Sequence, residues 1–389
     1  MTKKKSRREF IETGIKTGVA LSFLASSLFS CTSKTSDQPT DSNSDNKKLK
    51  ILILGGTSFL GPHQIAYAMS RGHSITTFTR GKTQPSVHKN LFKNVEQLIG
   101  DRNDNLTALQ NRKWDAVIDN SGREVEWTKK TAALLKDNCE LYLYTSSTGV
   151  YYPYLGNDIK EDTKLVLTEP DEMNEEEKLE YGYGVMKANS ELAAIKEFGK
   201  DRTIIVRPTY MFGPADKTNR FIHWPIRLSQ GGEILVPGKP TDMVQYTDVR
   251  DAAEWMIRLI EDKNVGSYNV VGPKEKQNIY EFVEVVKNAL EVKSTFVKID
   301  DYDFLKENNI HYIVPWIMPT GKNHGSAKAN NQKSIKNGLT FRPLTESIKD
   351  TWEWWNSDAV SQAQRDKVGS DPKSVLALEK SIIEKWRKR

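Results

Sequence analysis

Apolar and polar positions along the chain fall into a repeating rhythm of strands and helices. Residues 50–54 (KILIL) form a short apolar run, the pattern of a strand buried on both faces of a parallel sheet. A glycine-rich stretch follows, Gly55-Gly56-Thr57-Ser58-Phe59-Leu60-Gly61. Next comes a helical pattern to Arg71, closed by Gly72, and a strand over 74–79. Further strands are expected at 95–100, ending in Asp101-Arg102, at 114–119, ending in Asn120-Ser121-Gly122, and at 140–145. A short helix capped by Asn103-Asp104 and a longer one over 124–136 separate them. Such alternation implies a doubly wound α/β fold of Rossmann type, with helices on both faces of a parallel sheet. Ligands then sit at the carboxyl ends of the strands.

The pattern loosens beyond residue 210, where a smaller C-terminal α/β substrate lobe is expected over 211–389. Its elements are a helix over 221–230, a turn and strand over 231–238 and a helix reaching about residue 260. A strand over 267–271 returns to the sheet, and helices follow near 279–290, 345–355 and 374–388. The first domain then occupies 49–210.

The beginning of the chain has a different character. Lys3, Lys4, Lys5, Arg7 and Arg8 make a basic start, and Ser6-Arg7-Arg8-Glu9-Phe10-Ile11 resembles a twin-arginine export motif. The apolar segment over 15–29 is short for a membrane span and interrupted by Gly and Ser. Leu28-Phe29-Ser30-Cys31 resembles a lipoprotein cleavage box with Cys31 as the acylated residue. Residues 32–48 are polar, without enough apolar surface to fold, and read as a tether. The expectation is a signal peptide over 1–30 handled by the twin-arginine export machinery. A tether over 31–48 then anchors a periplasmic domain to the membrane.

Composition narrows the partners. Of the 389 residues 37% are apolar, enough for one large domain or two lobes. The net charge is +6, but residues 1–30 hold six basic against two acidic side chains, so the remainder is near +2. That balance gives no electrostatic footprint for nucleic acid. There are two cysteines, and Cys139 reads as a buried small hydrophobe, so no disulfide framework is expected. The six histidines show no metal-ligand spacing, and no metal is expected.

A glycine-rich turn between a strand and a helix suits a dinucleotide. The glycines let the backbone approach a pyrophosphate, and the helix N-terminus offers it free N–H groups. Gly55, Thr57, Ser58, Phe59, Leu60 and Gly61 are the expected contacts, with Ser58 standing where the usual pattern has its middle glycine. At Thr79-Arg80 an acidic residue would bind the ribose of NAD. A neutral residue and an arginine suit a 2′-phosphate instead, which favours NADP over NAD. Asp101, Asn120, Ser121, Gly122 and Lys187 complete the expected cofactor set.

The stretch Tyr144-Thr145-Ser146-Ser147-Thr148-Gly149-Val150-Tyr151 leaves the sheet edge. After an acidic insertion, Tyr181-Gly182-Tyr183-Gly184-Val185-Met186-Lys187 opens a helix to about Phe198. Tyr183 and Lys187 lie four apart, on one helix face. A tyrosine is a poor base at its free pKa of about 10. A lysine one turn away favours the phenolate and can hold the cofactor ribose, while Ser147 can hydrogen-bond the reacting oxygen. Together they move a proton while a nicotinamide exchanges hydride.

With these motifs the chain resembles an extended short-chain dehydrogenase/reductase of the NAD-dependent epimerase/dehydratase type, over about residues 49–350. The resemblance implies Ser147, Tyr183 and Lys187 as the catalytic set, and Arg207-Pro208 with Phe212-Gly213-Pro214 as the lead into the substrate lobe. Gly-Gly-Thr-Ser-Phe-Leu-Gly and Thr-Arg-Gly resemble a divergent branch that includes chloroplast stem-loop RNA-binding proteins. Relatives using nucleotide-diphosphate sugars usually carry an arginine just before the strand leading to Asp248. Here Asp242-Met243-Val244-Gln245 has none, which argues against a diphosphate-bearing substrate.

Arg207, Phe221, Trp224, Tyr246 and Trp316 are the candidates for a substrate cleft, with His223 a weaker one, since rings with a polar tip suit sugar faces. Lobe core is the competing expectation for them. Two function classes stay open: an NAD(P)-dependent epimerase, dehydratase or reductase on a sugar or small carbonyl substrate, and a binding protein, for RNA, on the same fold. Export away from the cytoplasmic cofactor pool points to a tightly held dinucleotide and a redox-neutral reaction.

Overall fold

The computed structural model describes residues 47–389. The expected signal peptide, Cys31 and all of the expected tether except Lys47 and Lys48 lie outside them. Nine elements build the first half: β1 (Lys50–Leu54), α1 (Leu60–Ser70), β2 (Ser74–Thr79), β3 (Glu96–Ile99), β4 (Trp114–Asp119), α2 (Val125–Leu135), β5 (Cys139–Thr145), α3 (Glu175–Phe198) and β6 (Thr203–Pro208). The second half holds β7 (Met211–Phe212), α4 (His223–Ser229), β8 (Gly232–Pro237), β9 (Thr247–Asp248), α5 (Val249–Glu261), β10 (Gly266–Val270), α6 (Ile279–Ala289) and β11 (Ser294–Ile299). After them come α7 (Tyr302–Glu307), α8 (Gln332–Lys336), α9 (Leu344–Asn356), α10 (Gln362–Gly369) and α11 (Val375–Arg387).

Seven strands form one sheet in the order β10-β6-β5-β4-β1-β2-β3, and every pairing is parallel. The order reverses between β1 and β4, the place where such sheets open a ligand crevice. Alternation along each strand sorts the two core layers. Ile51, Ile53, Ala116, Ile118, Leu141 and Leu143 face the side of α1 and α5, with Ile65, Trp255 and Met256. Leu52, Leu54, Val117, Tyr142 and Tyr144 face the side of α2 and α3, with Ala132, Leu135 and Phe198. Burying each such side chain is worth about 1.5–3 kcal/mol, so a one-residue slip in register would forfeit an entire layer.

The lobes are interleaved. The chain leaves the sheet after β6, yet α5 returns to pack on α1 and β10 adds an edge strand beside β6. The rest of the second half builds its own core around the parallel pair β8–β11, α6 and α9.

Four of the aromatic residues expected in a substrate cleft belong to that core. Phe221 stacks on Phe212 at 3.7 Å, Trp224 and Trp316 are fully buried, and Tyr246 packs against Phe282. Their polar tips are spent inside the protein. Trp224 Nε1 donates to Val314 O at 2.9 Å, Trp316 Nε1 to Asp242 Oδ2 at 2.8 Å, and the Tyr246 hydroxyl to Gln277 Oε1 at 2.6 Å. They hold the lobe together, and Tyr246 also borders a cavity beside Phe212, Asp248 and Gln277. His223, at the start of α4, is also sealed in, and burial lowers it to about 4.

Two local expectations change. Helix α3 begins at Glu175, six residues before Tyr181. Asn174 and Glu177 form a capping box there, and three glutamates in the first turn complement the helix dipole. Asn103-Asp104 caps no α-helix. The chain makes only a 3₁₀ turn over Thr107–Leu109, with Asn105 Oδ1 accepting from Thr107 N.

Candidate active site

The turn after β1 is shaped around bare backbone. Gly55 and Gly56 have φ of 102° and 100°, where a side chain is strained. A Cβ on Gly61 would stand 2.3 Å from the Gly56 Cα, so no other residue fits. Ser58 is exposed, and its side chain meets no such limit, which is why this middle position tolerates a serine. Phe59 caps α1 with no side-chain hydrogen bond, and the first turn carries no acid. Gly61 N donates to Ser58 O at 3.2 Å and Pro62 has no N–H, which leaves the amides of Phe59 and Leu60 available to an external anion. Thr57 and Leu60 are buried and support the turn through packing. A Cβ on Gly55 would stand 3.5 Å from that of Ser121, so the turns after β1 and β4 wall one crevice. The shape and the open amides fit a dinucleotide pyrophosphate.

Around this crevice the other expected cofactor residues divide. Arg80 is exposed at the end of β2, beside a tight turn in which Thr79 Oγ1 accepts from Gly81 N at 3.1 Å. Asp101 ends β3 and accepts from Asn103 N at 3.0 Å. Its neighbour Arg102 is buried and forks onto Asp119, with Nη2 at 2.7 Å from Oδ2, and donates to Ser121 Oγ at 3.2 Å and Thr131 Oγ1 at 2.7 Å. Burial alone would raise Asp119, but Arg102 and the Tyr142 hydroxyl outweigh it and hold the carboxyl below its ordinary range. The Asn120 side chain donates to Gln64 Oε1 at 2.6 Å and accepts from Thr145 Oγ1 at 2.8 Å. Asn120 is thus a brace between α1, β4 and β5, and only its backbone faces the crevice as a candidate contact.

This brace ends at Lys187, the candidate catalytic lysine. Lys187, buried on α3, donates to the carbonyls of Gly122 at 3.1 Å and Thr145 at 2.9 Å. Its ammonium stands 6.0 Å from the ring centroid of Tyr183. Burial lowers Lys187 to about 8, against the opposing pull of Asp119 and Glu191. Tyr183 is 46% exposed to water, but protein surrounds it on most sides. That desolvation raises the phenol, while Ser147, Arg220 and Arg123 draw it down. The resting tyrosine is therefore a protonated phenol poised to donate. The lysine expected to favour the phenolate donates to two carbonyls, not to the phenol.

Ser147 begins the 3₁₀ turn Thr148–Tyr151 and accepts from Gly149 N at 3.0 Å. Two glycines that sequence reasoning passed over set its distance from Tyr183. A Cβ on Gly149 would lie 3.1 Å from the Tyr183 ring, and one on Gly184 would meet the Gly149 carbonyl oxygen at 2.5 Å. Both stood inside the quoted motifs, and their crowding between Ser147 and Tyr183 was the missed signal. Arg102 and Asp119 carried no such mark.

Arg207 is not a substrate contact. It is buried against Glu191, with contacts at 2.6 and 2.9 Å, and donates to the Tyr151 hydroxyl at 2.7 Å and Glu161 O at 2.9 Å.

A parallel seven-stranded sheet, a glycine turn at its switch point and a Ser-Tyr-Lys set on its carboxyl edge define a dinucleotide-dependent enzyme of short-chain dehydrogenase/reductase type. The family model of the NAD dependent epimerase/dehydratase family matches residues 51–271, more than half of the chain, and the chain belongs to that family. It is 29% identical over 248 residues to the chloroplast stem-loop binding protein of 41 kDa b of Arabidopsis thaliana, over 59% of this chain and 61% of that protein. The chain thus spans about three-fifths of that relative. It is 22% identical over 343 residues to a UDP-N-acetyl-alpha-D-glucosaminuronate decarboxylase of Bacillus cytotoxicus, over 79% of this chain and 98% of that one. Its fold is shared with the Bordetella bronchiseptica enzyme WbmH, solved with NAD+, at a TM-score of 0.58 and 16% identity over 81% of this chain and all of that one. A UDP-glucuronic acid 4-epimerase from Bacillus cereus, solved with NAD, superposes at 0.54 with 16% identity, over 78% of this chain and 98% of that one.

Proposed function

We propose that the protein is a redox-neutral epimerase or dehydratase acting on a sugar or related polyol, with a tightly held dinucleotide. The observation that carries this reading is the placement of Lys187 between the carbonyls of Gly122 and Thr145, one helical turn below an exposed Tyr183 with Ser147 beside it. Tyr183 exchanges a proton with the reacting oxygen of the substrate. Ser147 hydrogen-bonds the same oxygen and fixes its distance from the phenol. Lys187 joins the tyrosine helix to the loop after β4 and offers its remaining N–H to the cofactor ribose. Gly55, Ser58, Phe59 and Gly61 would hold the pyrophosphate. The nicotinamide, when bound, supplies a reversible hydride acceptor, so that product and substrate share one oxidation state.

Arg80 supports NADP as the cofactor, since a guanidinium at the end of β2 matches a 2′-phosphate. The segment in which nucleotide-sugar enzymes of this type carry an arginine supports a substrate without a nucleotide handle. Here Asp242 is taken up by Trp316 and Tyr302, and Gln245 pairs with the backbone of Ala329. The motif at Arg7-Arg8 and the box ending at Cys31 support twin-arginine export and a lipid-anchored, periplasmic protein. Such a protein must arrive with its cofactor and recover it after each turnover.

The deciding experiment is turnover by purified protein without added cofactor, on a panel of sugars. Sustained turnover supports the proposal. One product per active site, with activity restored only by NAD or NADP, would establish a conventional dehydrogenase instead. The likeness to a stem-loop binding protein motivates one further arm. Tight RNA binding that survives loss of the Tyr183 hydroxyl, in a protein without turnover, would favour a binding role.

A further inference from the structure

Fifteen arginines lie among the described residues, and twelve of them donate hydrogen bonds or form ion pairs within the protein. Arg80, Arg123 and Arg220 do neither among the described residues. Arg80 marks the cofactor side. The other two flank Tyr183. Arg123 directly follows Gly122, whose carbonyl accepts from Lys187 Nζ at 3.1 Å, so it leaves the backbone beside the catalytic lysine. Arg220 lies over the ring of Tyr210 at 5.2 Å, on the segment leading into the second lobe. Both are exposed. Glu180 and Asp216 lie close enough to feel the charge of Arg220, yet neither brings an oxygen within 4.0 Å of it, and Asp216 is occupied by Thr218 at 2.7 Å.

We infer that Arg123 and Arg220 form an anion subsite beside Tyr183, and that the substrate carries an acidic group close to the carbon that reacts. A guanidinium presents a planar fork of donors that matches a carboxylate or phosphate and cannot be discharged near neutral pH. Two such groups beside one tyrosine can hold an anion next to it. The reacting oxygen is then set against Tyr183 and Ser147 without any contact to a nucleotide. The same two charges draw the phenol of Tyr183 down from the value that burial imposes. An anion between them would cancel that pull and keep the phenol protonated while substrate is bound. This inference rests on the catalytic reading of Tyr183.

The test uses the purified protein with its dinucleotide and a matched panel: a neutral hexose, the corresponding uronate and the corresponding hexose phosphate. Binding is followed by calorimetry and chemistry by the absorbance of the bound cofactor. The acidic sugars are expected to bind at least about tenfold more tightly than the hexose, and the better of the two identifies carboxylate or phosphate as the group recognised. Arg220→Gln and Arg123→Gln should each weaken the acidic sugar about ten- to a hundredfold, the worth of a charged hydrogen bond. Both should leave the hexose and the dinucleotide unaffected, and Arg220→Lys should restore part of the loss. Equal affinity for neutral and acidic sugars would overturn the subsite, and so would variants that weaken the dinucleotide instead. Arginine-dependent binding of the acid with no cofactor response would keep the subsite and refute the catalytic reading. If no sugar binds, both fall.

Discussion

Gly149 lies against the ring of Tyr183: a methyl group at residue 149 would stand 3.1 Å from both Cδ1 and Cε1 of the tyrosine and 3.3 Å from Ser147 Oγ. Gly149→Ala should therefore push the phenol off its line to Ser147 while leaving the pyrophosphate turn untouched. A misplacement of about 1 Å can cost on the order of a hundredfold in rate. The expected result is a fall in kcat of about ten- to a hundredfold with unchanged dinucleotide affinity, read by steady-state kinetics and cofactor titration. A variant with normal kcat would show that the ring finds its place without the glycine.

Tyr183→Phe removes the hydroxyl to which the proposed mechanism assigns the proton exchange with the substrate. General acid–base catalysis contributes typically 10²–10⁴-fold, so kcat should fall by about that much. Dinucleotide release on denaturation should be unchanged. More than about a tenth of the activity left would remove Tyr183 from the mechanism.

Arg207 and Glu191 make a buried ion pair at 2.6 Å. Breaking such a pair from one side strands the other charge and typically costs about 3–5 kcal/mol. Arg207→Met should lower the urea midpoint accordingly, with the substrate KM of the folded fraction unchanged. A raised KM at full stability would return Arg207 to the substrate site.

Lys187 gives the stability a pH dependence of known sign. Its ammonium is lowered from 10.5 to about 8 in the folded protein, so between those values the unfolded chain holds a proton that the folded one lacks. Stability from this residue therefore rises with pH across about 8 to 10.5, and the burial penalty is present in full below 8. Urea unfolding of wild type and Lys187→Met at pH 7 and pH 10 measures it. The difference between the two proteins should move in favour of wild type at the higher pH. A constant difference would mean that the lysine stays charged throughout.

Arg80→Ala tests the choice of dinucleotide. NADP should bind about tenfold or more weakly, the worth of a charged hydrogen bond, and NAD should be nearly unaffected. Equal losses for both would place Arg80 at a group they share.

The sheet was legible in the chain because buried parallel strands are written as local apolar runs, and β1 to β5 appear within a few residues of their expected places, whereas β6, which holds Arg207-Pro208, was not expected as a strand. The placement of Tyr183 and Lys187 on one helix was legible because a spacing of four is also local. The substrate side was not. Phe221, Trp224, Tyr246 and Trp316 have the composition of a sugar-binding wall, but composition does not say which way a ring faces, and the polar tips of Trp224, Tyr246 and Trp316 find their partners far along the chain. Arg207 was misread for the same reason, since Glu191 lies on another element. Arg123 and Arg220 gave the opposite problem. Nothing in the sequence marks an arginine as unused until the partners of all the others are known.

The chain enters β1 at the amino edge of the sheet, where Lys50 N donates to Asp115 Oδ2 at 2.8 Å, Lys47 Nζ meets Asp115 at 3.1 Å and Leu49 N donates to His73 Nδ1 at 3.1 Å. The glycine turn lies at the other end of the five-residue strand, roughly 17 Å away at about 3.3 Å per residue. The chain therefore enters the described domain at the edge of the sheet opposite the glycine turn. Immobilising the protein by its amino end should therefore leave diffusional access to Tyr183 unobstructed.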